Sequence, residues 1–340
     1  MKSNFALKFK FLYIQQNFWK KLYENQLMKN IKPKKLQNND LIGIISPAST
    51  PNDLDKIERG VKYLEKLGYR TKVGKNVGKK HGYLAGSDNE RLDDLHNAFS
   101  DKEIKAVFCL RGGYGSGRIL DKIDFNLIKK NPKIFVGYSD ITALEMSIYK
   151  KTGLITFAGP MVASDFSDEI NQFAEENFWK VLTTSRKIGK IYNPRNEKFF
   201  ILNSGRAEGK IIGGNLSLII SLMGTEYLPV FKNSILLIEE IGEEPYRIDR
   251  MLNQLKMAKV FKDVKGVILG RFVDCYEKKS EENPITLNEV IENYFGTLKI
   301  PVIYSVSHGH IKENLTIPIG INCNLNASRG FIELTESAVV

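Results

Sequence analysis

The chain has 340 residues, of which 42% are hydrophobic, so it is long enough to bury one large core or two medium ones. Its formal net charge is +11, but residues 1–35 hold nine lysines and one glutamate, which leaves +3 for the other 305 residues. A nearly neutral body is not typical of a nucleic-acid-binding protein. Cys109, Cys275 and Cys323 lie far apart without zinc-ligand spacing, which argues against a disulfide framework and favours a reducing compartment.

Residues 1–27 do not match a secretory signal, because Lys8, Lys10 and other polar residues interrupt the apolar ones. No stretch of the sequence is long and apolar enough to span a bilayer, so we expect a cytoplasmic protein with no membrane partner. Met28 precedes a segment that leads naturally into the first strand. We therefore interpret residues 1–35 as an N-terminal extension, of which 1–27 are optional. A basic amphipathic surface anchor is the alternative.

From residue 41 the chain alternates strand-like and helix-like segments. Leu41–Ser46 is a buried-strand run, and Thr50 with Pro51 offers an N-cap and a first helical residue. Helical patterns then separate further strands, which we expect near Arg70–Val73, Ala106–Leu110 and Ile134–Gly137. This βαβ rhythm predicts an α/β domain over residues 36–184, with a parallel sheet and active groups at the carboxyl edge of that sheet.

The second half has a different pattern. Residues 185–207 are predicted to be a linker, and residues 208–340 to be a second domain with strands at Ile235–Ile238, Val267–Leu269 and Val302–Tyr304.

The strand Ile134–Gly137 is followed by a serine and the start of a helix. A strand that stops at Gly137, with Ser139 in the turn and a helix from Ile141, has the shape of a nucleophile elbow. In such a turn the serine is presented at the top of the sheet, and N–H groups at the start of the helix face an oxyanion.

A glycine-rich loop, Arg111–Gly117, follows the preceding strand. It lacks the spacing of the known phosphate-binding loops, so nucleotide binding is not favoured. The loop is either a tight turn or an oxyanion element. Beside an elbow we favour the second interpretation, with the N–H groups of Gly113 and Asp140 as donors.

A serine hydrolase also needs a neutral imidazole and a carboxylate that fixes its tautomer. His310 and Glu239, which follows the predicted strand Ile235–Ile238, could supply them. The His308–His310 spacing also allows a metal site, but no third ligand is evident nearby, so we expect no metal and no cofactor. In an extended segment the two histidines would point the same way, so that His308 could line the pocket.

Several motifs, taken in order from about residue 35 to the C-terminus, resemble those of the LD-carboxypeptidase family of serine peptidases. The motifs are Gly112-Gly113-Tyr114-Gly115, Gly137-Tyr138-Ser139-Asp140, Phe157-Ala158-Gly159-Pro160, Gly213-Gly214-Asn215-Leu216, Glu239-Glu240 with Pro245–Arg250, and Gly309-His310 with Pro318-Ile319-Gly320.

The resemblance implies a flavodoxin-like or amidotransferase-like N-terminal domain and a smaller β-rich C-terminal domain. It also implies a triad of Ser139 as nucleophile, Glu239 as orienting carboxylate and His310 as base. The position of Glu240 is more often aspartate in the family. The family releases the terminal D-alanine from murein tetrapeptides in the cytoplasm during cell-wall recycling, and the resemblance suggests a homodimer.

Two alternatives stay open. A microcin C immunity-type peptidase shares these motifs but cleaves a peptidyl-nucleotide antibiotic. A non-catalytic sugar- or nucleotide-binding module would keep the sheet without needing the triad. For a peptidase, Arg111 is a candidate ligand of a substrate carboxylate, because a guanidinium matches carboxylate geometry.

Overall fold

The computed structural model describes residues 29–194, 197–277 and 284–340, and within them Ile31–Val340 form one compact unit. The expected optional extension, residues 1–27, lies outside the described residues. The strands of the described residues are β1 Leu41–Ile45, β2 Arg70–Val73, β3 Ile104–Cys109, β4 Ile134–Gly137, β5 Thr156–Ala158, β6 Gly189–Ile191, β7 Phe200–Asn203, β8 Arg206–Asn215, β9 Ile235–Ile241, β10 Gly266–Val273, β11 Val302–Tyr304, β12 Ile317–Ile319, β13 Asn322–Asn326 and β14 Phe331–Leu334.

Helices connect most of these strands. They are α1 Asp55–Lys66, α2 Asp88–Ser100, α3 Phe125–Lys130, α4 Thr142–Thr152, α5 Gln172–Thr183, α6 Leu216–Ser221, α7 Pro245–Met257, α8 Val260–Asp263 and α9 Leu287–Ile291. Short 3₁₀ segments cover Ser116–Lys122, Ser139–Ile141 and Ala327–Arg329, and a π-helical turn covers Glu292–Gly296.

The first sheet has six strands in the order β12-β5-β4-β3-β1-β2. Strands β1 to β5 run parallel, and their order 2-1-3-4-5 is that of flavodoxin-like folds. The strands β1 and β4 are buried along their whole length, as expected for a sheet with helices on both faces. The α/β class and the flavodoxin-like sheet are therefore confirmed.

The first helix begins later than the sequence predicted. Thr50 is not its N-cap, because the chain turns at 51–54 and α1 starts at Asp55. The side chain of Asp53 accepts a hydrogen bond from the backbone N–H of Asp55, at 3.0 Å. A carboxylate that binds N–H groups at a helix start competes with a cap further upstream.

The second sheet has eight strands in the order β6-β14-β13-β8-β9-β10-β11-β7. Its centre, β8 to β11, is parallel, and the remaining pairings are antiparallel. The edge strands β6 and β7 lie within the stretch 185–207 that we expected to be a linker. Strand β12, from the second half of the chain, pairs antiparallel with β5 of the first sheet. The domain boundaries themselves stay a prediction.

The two sheets meet where β8 ends beside the start of α4. The backbone N–H of Asn215 donates to Oγ1 of Thr142 at 3.1 Å. A methyl group on Gly214 would lie 2.7 Å from the same oxygen, so a larger residue would push the sheets apart. This contact lies three residues from Ser139, so packing between the sheets fixes the surroundings of that serine.

Candidate active site

Ser139 stands in the turn between β4 and α4, at the carboxyl edge of the first sheet. Its φ is +64°, a left-handed conformation that costs an ordinary residue about 1–2 kcal/mol. Gly137 permits the sharp turn, because a methyl group there would lie 2.6 Å from the side chain of Ile141. A strained serine between a strand and a helix has the geometry of a nucleophile elbow.

The glycine-rich loop after β3 passes directly beside this serine. A methyl group on Gly112 would lie 2.9 Å from Cβ of Ser139 and 3.3 Å from the backbone nitrogen of Asp140. The next residue, Gly113, is exposed and has a φ of +103°. The loop thus brings Gly112, the neighbour of Gly113, close to the backbone nitrogen of Asp140 at the start of the helical segment. The first N–H groups of a helix have no partner inside the helix.

Ser49, which follows β1, holds the other side of the loop. Its hydroxyl accepts a hydrogen bond from the N–H of Tyr114 at 3.0 Å and donates to the carbonyl of Tyr83 at 2.7 Å. The gap between β1 and β3 is the topological switch point of the sheet, where ligands of such folds bind. Ser49 carried no signal in the sequence analysis.

Glu239 and His310, two of the candidate site residues, are in direct contact. Nδ1 of His310 lies 2.8 Å from Oε2 of Glu239. The carboxylate is on β9, two residues before the end of the strand, and is 1% exposed, whereas the imidazole, in the loop before β12, is 14% exposed. Gly309 allows this approach, because a methyl group there would lie 2.8 Å from Oε2 of Glu239.

The charge of Glu239 favours a protonated imidazole. Burial lowers the pKa of His310, but the hydrogen bond and charge of Glu239, with the charges of Glu240 and Asp165, outweigh burial, and the pKa is raised above its usual value. Within the described residues His310 is the one hydrogen-bond donor to the Glu239 side chain, since Oε1 has no partner.

The carboxylate of Glu240 is hydrogen-bonded to residues at the start of α6 and not to His310. Its carboxylate accepts hydrogen bonds from the Asn215 side chain at 2.9 Å and from the N–H and hydroxyl of Ser217 at 2.8 and 2.7 Å. These bonds tie β9 to the start of α6. Of the two neighbouring glutamates, Glu239 is therefore the one that contacts a histidine.

His308 does not face the same way as His310. The segment 305–316 is not a strand, and Ser305 and Gly309 take positive φ values of 64° and 124°. His308 is buried, and its Nδ1 lies 2.8 Å from the carbonyl oxygen of Leu315. Burial lowers the pKa of His308. The segment is therefore not extended, and the condition under which the two histidines would point the same way is not met.

Tyr138 connects the serine turn with the histidine. Its ring is 5.1 Å from that of His310, in an edge-on arrangement. The Tyr138 hydroxyl interacts with the carboxylate of Asp165, and the charge of Arg111 also acts on Tyr138. The hydroxyl of Ser139 is not hydrogen-bonded to His310 in the described part of the chain, as is common for catalytic pairs without substrate.

Arg111 lies at the mouth of the loop. Its Nη1 donates to the carbonyl of Thr50 at 3.3 Å, and its Nη2 is 3.6 Å from the point where a methyl group on Gly113 would lie. No carboxylate among residues 29–194, 197–277 and 284–340 pairs with it. Arg271, by contrast, is paired with Glu197.

A surface cavity of about 420 Å³ adjoins the loop through Tyr83 and is lined by His81, Asp88 and Arg118 among others. It does not include Ser139, Glu239 or His310, so this cavity is separate from those three residues. In the described ranges, no group of three or more His, Cys, Asp or Glu side chains could hold a metal ion. No helix among the described residues is long and apolar enough to cross a membrane.

The fold and this constellation define a two-sheet α/β protein with a strained serine beside a glycine-rich loop and a buried glutamate–histidine pair. The chain belongs to the LD-carboxypeptidase family: the sequence profiles of its N-terminal and C-terminal domains match residues 42–159 and 208–325.

Individual relatives agree with this assignment. The chain is 42% identical over 301 residues to a probable murein peptide carboxypeptidase of Bacillus subtilis. The aligned region covers 88% of this chain and 92% of the relative. The solved structure of the microcin C7 self-immunity protein MccF superimposes with a TM-score of 0.83 and 28% identity over 91% of this chain and 100% of that one. The solved structure of a muramoyltetrapeptide carboxypeptidase from Oxalobacter formigenes superimposes with a TM-score of 0.76 and 31% identity. The match covers 87% of this chain and 98% of that one.

Proposed function

We propose that this protein is a cytoplasmic serine LD-carboxypeptidase that releases the terminal D-alanine from murein tetrapeptides in cell-wall recycling. One observation carries the proposal: the buried Glu239 carboxylate is hydrogen-bonded to Nδ1 of His310, in a chain whose Ser139 has the strained elbow conformation. This arrangement argues against a non-catalytic binding module, which would need neither feature.

The glutamate selects the tautomer of the base. Because Nδ1 of His310 donates to Glu239, the lone pair of Nε2 is left to accept a proton. His310 takes the proton of the Ser139 hydroxyl as the serine oxygen bonds to the carbonyl carbon before D-alanine. The carboxylate then stabilises the imidazolium that forms.

The negative charge on the attacked oxygen needs donors that are already in place. The N–H groups of Gly113 and Asp140 would supply them, since Gly112 brings the two chain segments within contact distance of Ser139. The intermediate collapses as its C–N bond breaks, and His310 gives its proton to the departing amine of D-alanine. A water molecule then hydrolyses the acyl-serine by the same route in reverse order.

A carboxypeptidase must recognise the terminal carboxylate of its substrate. Arg111 is the candidate, because its guanidinium is next to Gly113 and pairs with no carboxylate among the described residues. We expect no metal or other cofactor, since the histidine and glutamate replace a metal-activated water. A homodimer stays a prediction from the family.

The second candidate is the microcin C immunity-type activity. The TM-score of 0.83 to MccF favours it, whereas the 42% identity to a probable murein peptide carboxypeptidase favours the first. The chemistry would be the same, and only the group beyond the scissile bond would differ.

The test is a comparison of kcat/KM for three substrates with purified protein: a murein tetrapeptide ending in D-alanine, its diastereomer ending in L-alanine, and a peptidyl-nucleotide. We expect release of D-alanine from the first and little reaction with the others. A peptidyl-nucleotide cleaved with the higher kcat/KM would favour the second candidate, and no hydrolysis of any of them would contradict both.

A further inference from the structure

Tyr138 lies between the nucleophile's turn and the base. It directly precedes Ser139, and its carbonyl oxygen accepts a hydrogen bond from the N–H of Ile141 at 3.2 Å, so its backbone is part of the elbow. Its side chain, only 8% exposed, turns towards the ring of His310. A 5.1 Å centroid distance at 64° is within the range of favourable aromatic pairs.

The loop after β5 holds the other end of Tyr138. Asp165 interacts with the Tyr138 hydroxyl, and its Oδ2 accepts a hydrogen bond from the N–H of Met161 at 2.8 Å. The backbone N–H of Asp165 donates to the carbonyl of Met161 at 2.9 Å, which closes a turn around the carboxylate. The position of Asp165 is therefore fixed by its own loop and not by His310.

We propose that Tyr138 and Asp165 form a second orienting unit for His310, which packs against the imidazole ring while Glu239 holds its Nδ1 atom. The proposal rests on the proposed catalytic role of His310. Both residues are positioning residues, since neither needs to touch the substrate.

The charges around this unit act in the same direction on His310. Glu239 and Glu240 on β9 and Asp165 after β5 all favour the protonated imidazole, while burial and the charge of His310 lower the pKa of the neighbouring His308. Lys56 of α1 also acts on Asp165, and Arg111 and Glu239 act on Tyr138. Burial raises the pKa of Asp165 to about 6, so at neutral pH it is largely ionised and stabilises an imidazolium.

The direct test is an NMR titration of the His310 imidazole in Ser139→Ala protein, with the resonance assigned by a His310→Gln variant. In Asp165→Asn, we expect the His310 titration to shift to lower pH, because a carboxylate that favours the cation is lost. Asp168→Asn is the matched control: Asp168 is exposed and also pairs with Lys56, at 2.9 Å. We expect that variant to leave the titration unchanged.

The readout needs no substrate, so it can fail independently of the proposed function. An unchanged or raised His310 titration in Asp165→Asn, or an equal shift in Asp168→Asn, would overturn the proposal. A wild-type protein that releases no D-alanine, together with the expected titration shift, would instead contradict only the proposed function.

Tyr138→Phe is the second variant, because it keeps the ring and removes the hydroxyl. Without its hydroxyl partner Asp165 is protonated more readily, so we expect a shift of the His310 titration in the same direction as in Asp165→Asn. With an active wild-type enzyme we expect kcat to fall about tenfold while KM changes little, since orientation of the base affects the chemical step. A change confined to KM, with no shift in titration, would argue for a substrate contact instead.

Discussion

Glu239 and Glu240 are adjacent on β9, yet only Glu239 is hydrogen-bonded to a histidine, at 2.8 Å from Nδ1 of His310. Successive side chains of a strand point to opposite faces, so one residue faces the loop before β12 and the other faces α6. This separation gives a matched pair of variants.

Glu239→Gln should lose activity and keep its fold. Loss of the orienting carboxylate leaves the wrong tautomer accessible and costs on the order of 10⁴ in kcat in a serine-protease triad. Glu240→Gln should instead keep its activity and lose stability. It weakens the hydrogen bonds from Asn215 and Ser217, which lowers the free energy of unfolding by about 1–3 kcal/mol. Steady-state kinetics of both variants measure the loss of kcat, and urea unfolding measures the change in the free energy of unfolding. Similar kcat losses in the two would contradict the assignment.

Variants of the two histidines should also differ, one losing activity and the other mainly stability. His310→Ala should abolish turnover with a normal unfolding curve. His308→Ala should reduce activity modestly but destabilise the fold by about 2–4 kcal/mol, since it leaves a cavity and removes the partner of the Leu315 carbonyl. Kinetics and thermal unfolding measure both effects. An inactive, stable His308→Ala beside an active His310→Ala would reverse their roles.

The activity should depend on pH through His310. A protonated imidazole cannot accept the serine proton, so kcat/KM should fall as pH drops through the pKa of His310, which lies above 6.5. The same raised pKa makes the protonated form stabilise the fold below pH 6.5, and this contribution is lost as pH rises through the raised value. A pH–rate profile whose acidic limb lies below 6.5 would contradict this prediction.

The glycine beside the nucleophile should tolerate no side chain. A methyl group on Gly112 would lie 2.9 Å from Cβ of Ser139, so Gly112→Ala should displace the serine and lower kcat by on the order of 10²-fold. Gly117, further along the chain, is the control, because its added methyl group would meet no heavy atom within 4 Å. Gly117→Ala should retain wild-type kcat. An equal kcat of the two variants would contradict the prediction that Gly112 packs against Ser139.

Much of the first sheet was predictable, because each buried parallel strand is a short apolar run bounded by turn residues. The predicted strand Ile134–Gly137 has the observed bounds. The pairing of β12 with β5 was not predictable, since contacts between distant segments leave no local pattern. The short strands β6 and β7 were missed for the same reason: sheet pairing, not periodicity, defines them.

Site residues divide similarly. Ser139, Glu239 and His310 follow predicted strands, so their types and positions indicated chemistry. Asp165 stands in a loop with no motif of its own, and only the tertiary contact with Tyr138 gives it a candidate role. The orientation of His308 could not be derived from the sequence, because positive φ values at Ser305 and Gly309 break the alternation that an extended segment would have.

We propose Ser139 as the nucleophile that releases D-alanine, and the proposed roles of Glu239 and His310 depend on it. The most direct measurement is D-alanine formed from murein tetrapeptide by wild type and by Ser139→Ala at equal concentration, with thermal unfolding of both as a control for folding. We predict D-alanine from the wild type, a loss of several orders of magnitude in Ser139→Ala, and unfolding free energies that agree within about 0.5 kcal/mol. A folded Ser139→Ala that releases D-alanine at the wild-type rate would contradict the account.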